Sequence, residues 1–258
     1  MNESNPERPA ETDVQRFERD GYLVLPGLVS SDACDRIRHE IIECLDPLRG
    51  PAEFEVDTRY PGAPLDRSSE GGNTPRRLLH AYGRSELFRR WATSSQIRQL
   101  LTAVMHSHQV MLSQCHHNCI MTKYPGFSSI TSWHQDVRYW SFDRPELVSV
   151  WLALGQETAQ NGGLSFIPGS HRIDLDRGQL DKHLFLRTDL PANRELIGQA
   201  VEPQLEAGDM VLFHCRTLHA AGLNSTDTVK LSPVFTYHAA DNRPIPGTRS
   251  AEYPSIPL

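Results

Sequence analysis

The sequence has no apolar run long enough to cross a bilayer. Its longest, such as residues 148–154 and 210–213, fall far short of the roughly 20 residues that a spanning helix needs, so no transmembrane span is expected. It has no CxxC pair, and its five cysteines (Cys34, Cys44, Cys115, Cys119, Cys215) are odd in number. A chain of 258 residues can bury a core without covalent staples, so reduced thiols in a cytoplasmic setting are the default. A basic excess is also missing. The net charge of -6 excludes the positive field on which nonspecific nucleic-acid binding relies, so no nucleic-acid partner is expected. The opening MNESNPERPAETD lacks an apolar h-region and reads as a disordered lead-in over residues 1–12, not a signal peptide.

What is present fits one globular domain over residues 13–258, with 38% hydrophobic and 22% charged residues. Residues 13–20 suggest a short helix, and Tyr22 to Leu25 a strand closed by Pro26-Gly27. Ser31 reads as an N-cap for a helix over 32–45, in which Cys34, Ile37, Ile41 and Leu45 recur at helical spacing. Residues 50–75 are rich in Pro, Gly, Ser and charge and read as a long mobile loop covering a site. Helical stretches are expected over 86–91 and 95–105. From Gln109 the pattern turns to strands, over 110–124, 148–155, 164–167, 210–214 and 229–238. Helices first and strands afterwards predict an α+β, mainly β domain whose helices brace one face of an antiparallel barrel or sandwich.

There are 12 histidines, and several fall in apolar strands, where a neutral ring needs a partner. In TSWHQDVRYW, His134 and Asp136 are two residues apart. On a strand they would project to one face and offer an imidazole and a carboxylate to one ion. Taken alone, such a pair more often marks a polar strand edge. His219, in TLHAAG beside the small residues Ala220, Ala221 and Gly222, is a candidate third ligand. Two histidines and a carboxylate with open positions form the facial triad of non-haem Fe(II) oxygenases. His214 competes for the third place, although a buried, satisfied histidine in mid-strand is its ordinary fate. In CHHNC, alternation would put Cys115, His117 and Cys119 on one face, which invites a zinc reading, but no second ligand pair completes it.

Five stretches in order, FERDGYLVLPGLVSSDACDRIRHEI, WHQD, VSVWLAL, NGGLSFIPGSH and GDMVLFHCRTLHAAGLNST, resemble the phytanoyl-CoA dioxygenase-like proteins from about Phe17 to His238. The resemblance implies a double-stranded β-helix, a cupin-like jelly roll, with N-terminal helices. It implies Fe(II) held by His134, Asp136 and His219, with 2-oxoglutarate and dioxygen as co-substrates. Related halogenases lack the carboxylate ligand, so Asp136 points to hydroxylation. The family usually supplies an arginine for the far carboxylate of 2-oxoglutarate nine to eleven residues after the distal histidine; here Lys230-Leu231-Ser232 stands there. Lysine is a point charge where arginine is a two-pronged fork, so this departure is not neutral. The same alignment makes Lys230, Ser232, Trp151 and Cys119 neighbours of the co-substrate.

HHNCIMTKYP and WHQDVRYWSFDRPELVSVWLALG look most similar to a bacterial branch that 3-hydroxylates Kdo, the acidic sugar of lipopolysaccharide. This implies a small-molecule or lipid-linked acidic sugar as substrate, Kdo-lipid A, reached from the inner face of the cytoplasmic membrane by peripheral contact. Arg138, Tyr139 and Trp140 are then the candidate substrate residues, with Arg76, Arg77, Lys123 and Arg243 available for a sugar carboxylate. The competing readings are a hydroxylase of another small acid, lipid or natural product, a non-catalytic cupin-like binding module, and a zinc hydrolase built on the same three ligands.

Overall fold

The computed structural model describes residues 11–258, and most of the expected lead-in lies outside them. Two sheets face each other. The large one has the strand order β1 (Tyr22–Leu25), β8 (Met210–His214), β6 (Leu147–Leu152), β10 (Lys230–Ala239), β4 (Val110–Lys123), β3 (Pro75–Leu79) and β2 (Ala52–Phe54), with β11 (Ile256–Pro257) also pairing with β4. The small one is β5 (Thr131–His134), β9 (His219–Ala221) and β7 (Leu164–Phe166). Every pairing is antiparallel. This is the expected jelly roll.

Strand alternation sorts the large sheet into two faces. Val150, Leu152, Leu212, Phe235 and Tyr237 turn outward into one apolar cluster with the helices α1 (Glu11–Asp20), α2 (Ser31–Leu45), α5 (Glu86–Ala92) and α6 (Ser95–Val104), which supply Phe17, Ile37, Ile41, Phe88 and Leu101. Their neighbours Trp151, Val211, Phe213 and Val234 turn inward and meet Leu164 and Phe166 of the small sheet. The helices therefore brace one face, as the order of elements implied, and leave the inter-sheet space for the site. Burying apolar surface at about 25 cal/mol per Å² makes the outer cluster the main source of stability.

Local departures from the sequence reading have physical causes. The cap of α2 is Ser30, not Ser31: Ser30 is extended, and its hydroxyl accepts from Ala33 N. Residues 50–75 are not one loop, because β2 and α3 (Glu55–Thr58) begin that stretch and β3 starts at its end. Elements of three or four residues carry no period to read. The remaining short helices are α4 (Ala81–Arg84) and α7 (Pro191–Ile197).

The start of β8 is pinned by the turn at Gly208-Asp209. Asp209 accepts from Gly27 N and Glu206 N, both at 2.8 Å. Gly208 has φ +96°, and a Cβ there would lie 2.2 Å from the Val29 carbonyl oxygen. Gly208→Ala is expected to cost at least about 1–3 kcal/mol, the scale of backbone strain alone. Urea unfolding reads this directly, and an unchanged midpoint would show that the turn relaxes freely.

Candidate active site

His134 closes β5, His219 opens β9, and the two are register partners, so pairing of the strands sets the rings side by side with centroids 4.3 Å apart. Asp136 is not on the strand with His134. It begins a 3-10 turn (Asp136–Tyr139) held by a hydrogen bond from Val137 N to Cys215 O, and this turn, not strand alternation, swings the carboxylate back toward the histidines. Asp136 Oδ1 lies 3.3 Å from His134 Nε2 and 3.5 Å from His219 Nε2. Among the described residues these three form the one His/Cys/Asp/Glu group able to hold an ion, with ligand atoms within 4.8 Å of one another.

The donor set fits a metal. His134 Nδ1–H donates to Ser132 O at 2.8 Å and His219 Nδ1–H to Thr217 O at 2.9 Å, which fixes the tautomers and leaves both Nε2 lone pairs facing Asp136. Burial pushes the His219 imidazole down to about 4, against the pull of Asp136, so it is neutral and able to ligate near pH 7. Burial alone would raise the Asp136 carboxyl, but the imidazoles of His117, His219 and His134 outweigh it and hold the group below the usual carboxylate range. Both Asp136 oxygens are buried without a hydrogen-bond donor, a costly state unless a cation completes them.

His214 faces away from this group. Its Nδ1 accepts from Arg216 N at 3.1 Å, and its ring lies beside His171. The zinc reading of CHHNC also falls away. Between the pairs Ser113/Thr236 and Asn118/Phe235, four residues of β4 (Gln114, Cys115, His116, His117) have no partner on β10, and His116 takes φ +61°. This bulge breaks the alternation and turns both His116 and His117 into the site. His117 Nδ1 sits 3.4 Å from Asp136 Oδ2 and 3.3 Å from Ser149 Oγ. His116 stacks on Tyr139 at 3.7 Å.

A cavity of about 300 Å³ runs past the triad. Its inner end carries Trp151, Lys123 and Lys230, and its outer end Tyr60, Arg77, His116, Tyr139 and Arg249. Lys230 is not solvated. It is buried, 3.2 Å from Glu157 Oε2 and 3.2 Å from Ser232 Oγ, with its ammonium 4.7 Å from the Trp151 ring centre. Glu157, absent from the sequence reading, also accepts from Trp151 Nε1 at 3.1 Å and from Ser232 Oγ at 2.6 Å. The available signal was that Glu157 is the single acidic residue between Leu147 and Ile173. Ser232 and Cys119 are fully buried behind the wall, and Cys119 Sγ points toward Met121 Sδ at 3.8 Å.

Of the three residues expected at the substrate, Tyr139 lines the cavity. Arg138 lies over the Phe185 ring at 4.2 Å, and Trp140 is buried against Cys115, Leu147 and Cys215, because a 3-10 turn fans successive side chains apart. Arg76 and Arg77 line the cavity but already have acids: Arg77 Nη2 is 2.7 Å from Glu53, and Arg76 lies 3.5 Å from Glu53 and 3.8 Å from Glu55. Arg243 is exposed, and its backbone N–H meets Asp143. Lys123 is at the inner end, beside Lys230 and away from the mouth.

A double-stranded β-helix with two histidines and a carboxylate converging between its sheets is the arrangement of an iron- and 2-oxoglutarate-dependent oxygenase. The chain belongs to the phytanoyl-CoA dioxygenase (PhyH) family, whose profile matches residues 17–232. The ectoine dioxygenase of Halomonas elongata is 28% identical, over 89% of this chain and 70% of its own length. EctD from S. alaskensis, solved with 2-oxoglutarate and 5-hydroxyectoine, superposes with a TM-score of 0.78 at 21% identity, covering 94% of this chain and 80% of that one. The non-heme alpha ketoglutarate dependent epimerase SnoN from nogalamycin biosynthesis superposes at 0.71 with 25% identity, covering 89% and 83%. No helix among the described residues is long and apolar enough to cross a membrane.

Proposed function

We propose that the protein is a hydroxylase that inserts one oxygen atom from dioxygen into a C–H bond of a small polar, anionic molecule, using Fe(II) and 2-oxoglutarate. The observation that carries this reading is the buried His134, Asp136 and His219 group with its two unpartnered carboxylate oxygens. Iron with 2-oxoglutarate, when bound, supplies an oxidant strong enough for an unactivated C–H bond. The chain does the rest. His134, Asp136 and His219 hold the metal, His117 stands beside Asp136 at 3.4 Å, and the inner lysines face the end where a dicarboxylate co-substrate reaches. Leu164, Phe213 and Trp151 give that end apolar walls that keep water from the reacting centre.

The substrate belongs at the outer end. Asp57, on that wall, is paired with Arg67 at 2.9 Å, and Arg76 and Arg77 are paired with Glu53 and Glu55. Arg249 has no acidic partner among the described residues, and one of its nitrogens donates to Tyr139 O at 3.0 Å. That excess of one cation supports a substrate with one negative group among neutral hydroxyls. The narrower reading, 3-hydroxylation of Kdo in Kdo-lipid A at the inner face of the cytoplasmic membrane, fits this description of the ligand and rests otherwise on the sequence resemblance.

Two measurements test the reading. Succinate release from 2-oxoglutarate under air with ferrous iron should stand well above that of His134→Ala; turnover no higher than the variant's would leave a non-catalytic binding module. A gain of one oxygen atom on the Kdo of lipopolysaccharide precursors, read by mass spectrometry in cells carrying the gene, is the result expected of the narrower reading. An unchanged Kdo mass removes it and leaves the chemistry intact.

A further inference from the structure

Lys123 and Lys230 are register partners on β4 and β10, both are buried, and both line the inner end of the cavity. Their surroundings differ in charge. Lys230 has Glu157 at 3.2 Å, so that pair is electrically neutral, and the Glu157 oxygens are already occupied by Trp151, Ser232 and Lys230. Lys123 has no carboxylate within ion-pair distance among the described residues. Its ammonium donates to the carbonyls of Ser129, at 2.9 Å, and Gly222. Its stem is held by Gly162, where a Cβ would come within 2.5 Å of Lys123 Cδ. A buried ammonium with carbonyl partners alone is an unbalanced charge, and such a charge needs an anion.

Resting on the co-substrate reading above, we propose that Lys123, and not Lys230, supplies the net positive charge that binds the distal carboxylate of 2-oxoglutarate, while Glu157 keeps Lys230 neutralised as part of the wall. In this chain the anchoring charge has thus moved across the strand pair, from the position after the distal histidine to the facing strand. The lysine that takes the arginine's place on β10 holds the Glu157, Ser232 and Trp151 network together, and selectivity for a dicarboxylate comes from β4.

A pH dependence follows. Burial, then the facing cations Lys230 and Arg76, push Lys123 down to about 7, with Glu55 opposing them. Above that pH the free protein carries less of the charge that an anion needs, so binding of 2-oxoglutarate weakens as pH rises through neutrality. A 2-oxo acid without a distal carboxylate lacks that dependence.

The experiment is calorimetric titration of the Fe(II)-loaded protein under argon with 2-oxoglutarate and with 2-oxobutanoate, which keeps the 2-oxo acid and lacks the distal carboxylate. Wild type should prefer 2-oxoglutarate. Lys123→Met should lose about 10- to 100-fold in 2-oxoglutarate affinity, the scale of a charge-assisted hydrogen bond, while binding 2-oxobutanoate as wild type does. That retained binding also reports that the variant is folded. Lys123→Gln, which can keep a hydrogen bond to the Ser129 carbonyl, serves the same test if methionine is not accommodated. The charge-neutral pair Lys230→Met with Glu157→Gln should keep the preference within a few-fold. A preference that survives at Lys123→Met, or that is lost in the Lys230/Glu157 pair, overturns the assignment. A wild type that binds neither acid overturns the co-substrate reading itself.

Discussion

His134→Ala and His219→Ala each lower metal affinity by more than the roughly 10–100-fold that outer-shell changes produce, and abolish succinate release. Each imidazole arrives with its Nδ1–H committed to a backbone carbonyl two residues earlier, so each ring is already aimed with its Nε2 toward Asp136. Manganese(II), which mimics ferrous iron without oxidising, gives a readout independent of turnover. At a metal concentration about 1,000 times the dissociation constant, wild type should gain about 4 kcal/mol of stability by mass action. A variant weakened 100-fold should gain only about 1.4 kcal/mol at the same concentration, and one weakened further still less. Asp136→Asn makes a sharper control, because it keeps the shape while removing the charge that three imidazoles surround. A variant whose melting temperature still rises with manganese as wild type's does would show that the ion sits elsewhere.

The second large effect is on stability. Lys230→Met should destabilise the fold by about 3–5 kcal/mol, because it strands Glu157 as a buried charge; the two side chains are 5% and 1% exposed. Adding Glu157→Gln to Lys230→Met should recover most of that loss, since the amide oxygen can still accept from Trp151 and Ser232. Equilibrium unfolding in urea measures both. Equal midpoints for wild type and Lys230→Met would mean that Glu157 is not stranded by the loss of its partner. Such a result would also weaken the case that Glu157 neutralises Lys230 at pH 7.

The parts of the fold that were legible in the sequence are those with a repeating period. The stripe Cys34, Ile37, Ile41 identified α2 because 3.6-residue spacing is local information, and the long apolar runs identified β4, β6, β8 and β10 in the same way. The short β2 and α3 left no such trace and were read as loop. Residue type also carried the site: His134, Asp136 and His219 were nameable, but the strand geometry assumed for the first two was not what joins them. A 3-10 turn tied to Cys215 does that, and the tie joins residues far apart in the sequence. Glu157 illustrates the same limit. Its pairing with Lys230, 73 residues away, is set by how β6 and β10 lie together, and nothing near either residue announces it. The arginines of β3 looked available for a substrate because sequence shows charge and not the neighbours that cancel it.

The unpaired stretch of β4 has a further meaning for how such a barrel can change. It adds four residues, yet pairing with β10 resumes on either side, so Val110 and Leu112 before it and Ile120 after it all still face the helices. The helix-facing half of the protein does not register the addition. Two extra rings are delivered to the opposite side without altering which positions must be apolar. An insertion within the paired ends, by contrast, would slip the register and carry Val110 and Leu112 into the chamber and polar groups onto the helices. Whether an addition falls in the unpaired stretch or in the ladder thus separates the changes this strand can absorb as new chemistry from those that would dismantle its packing.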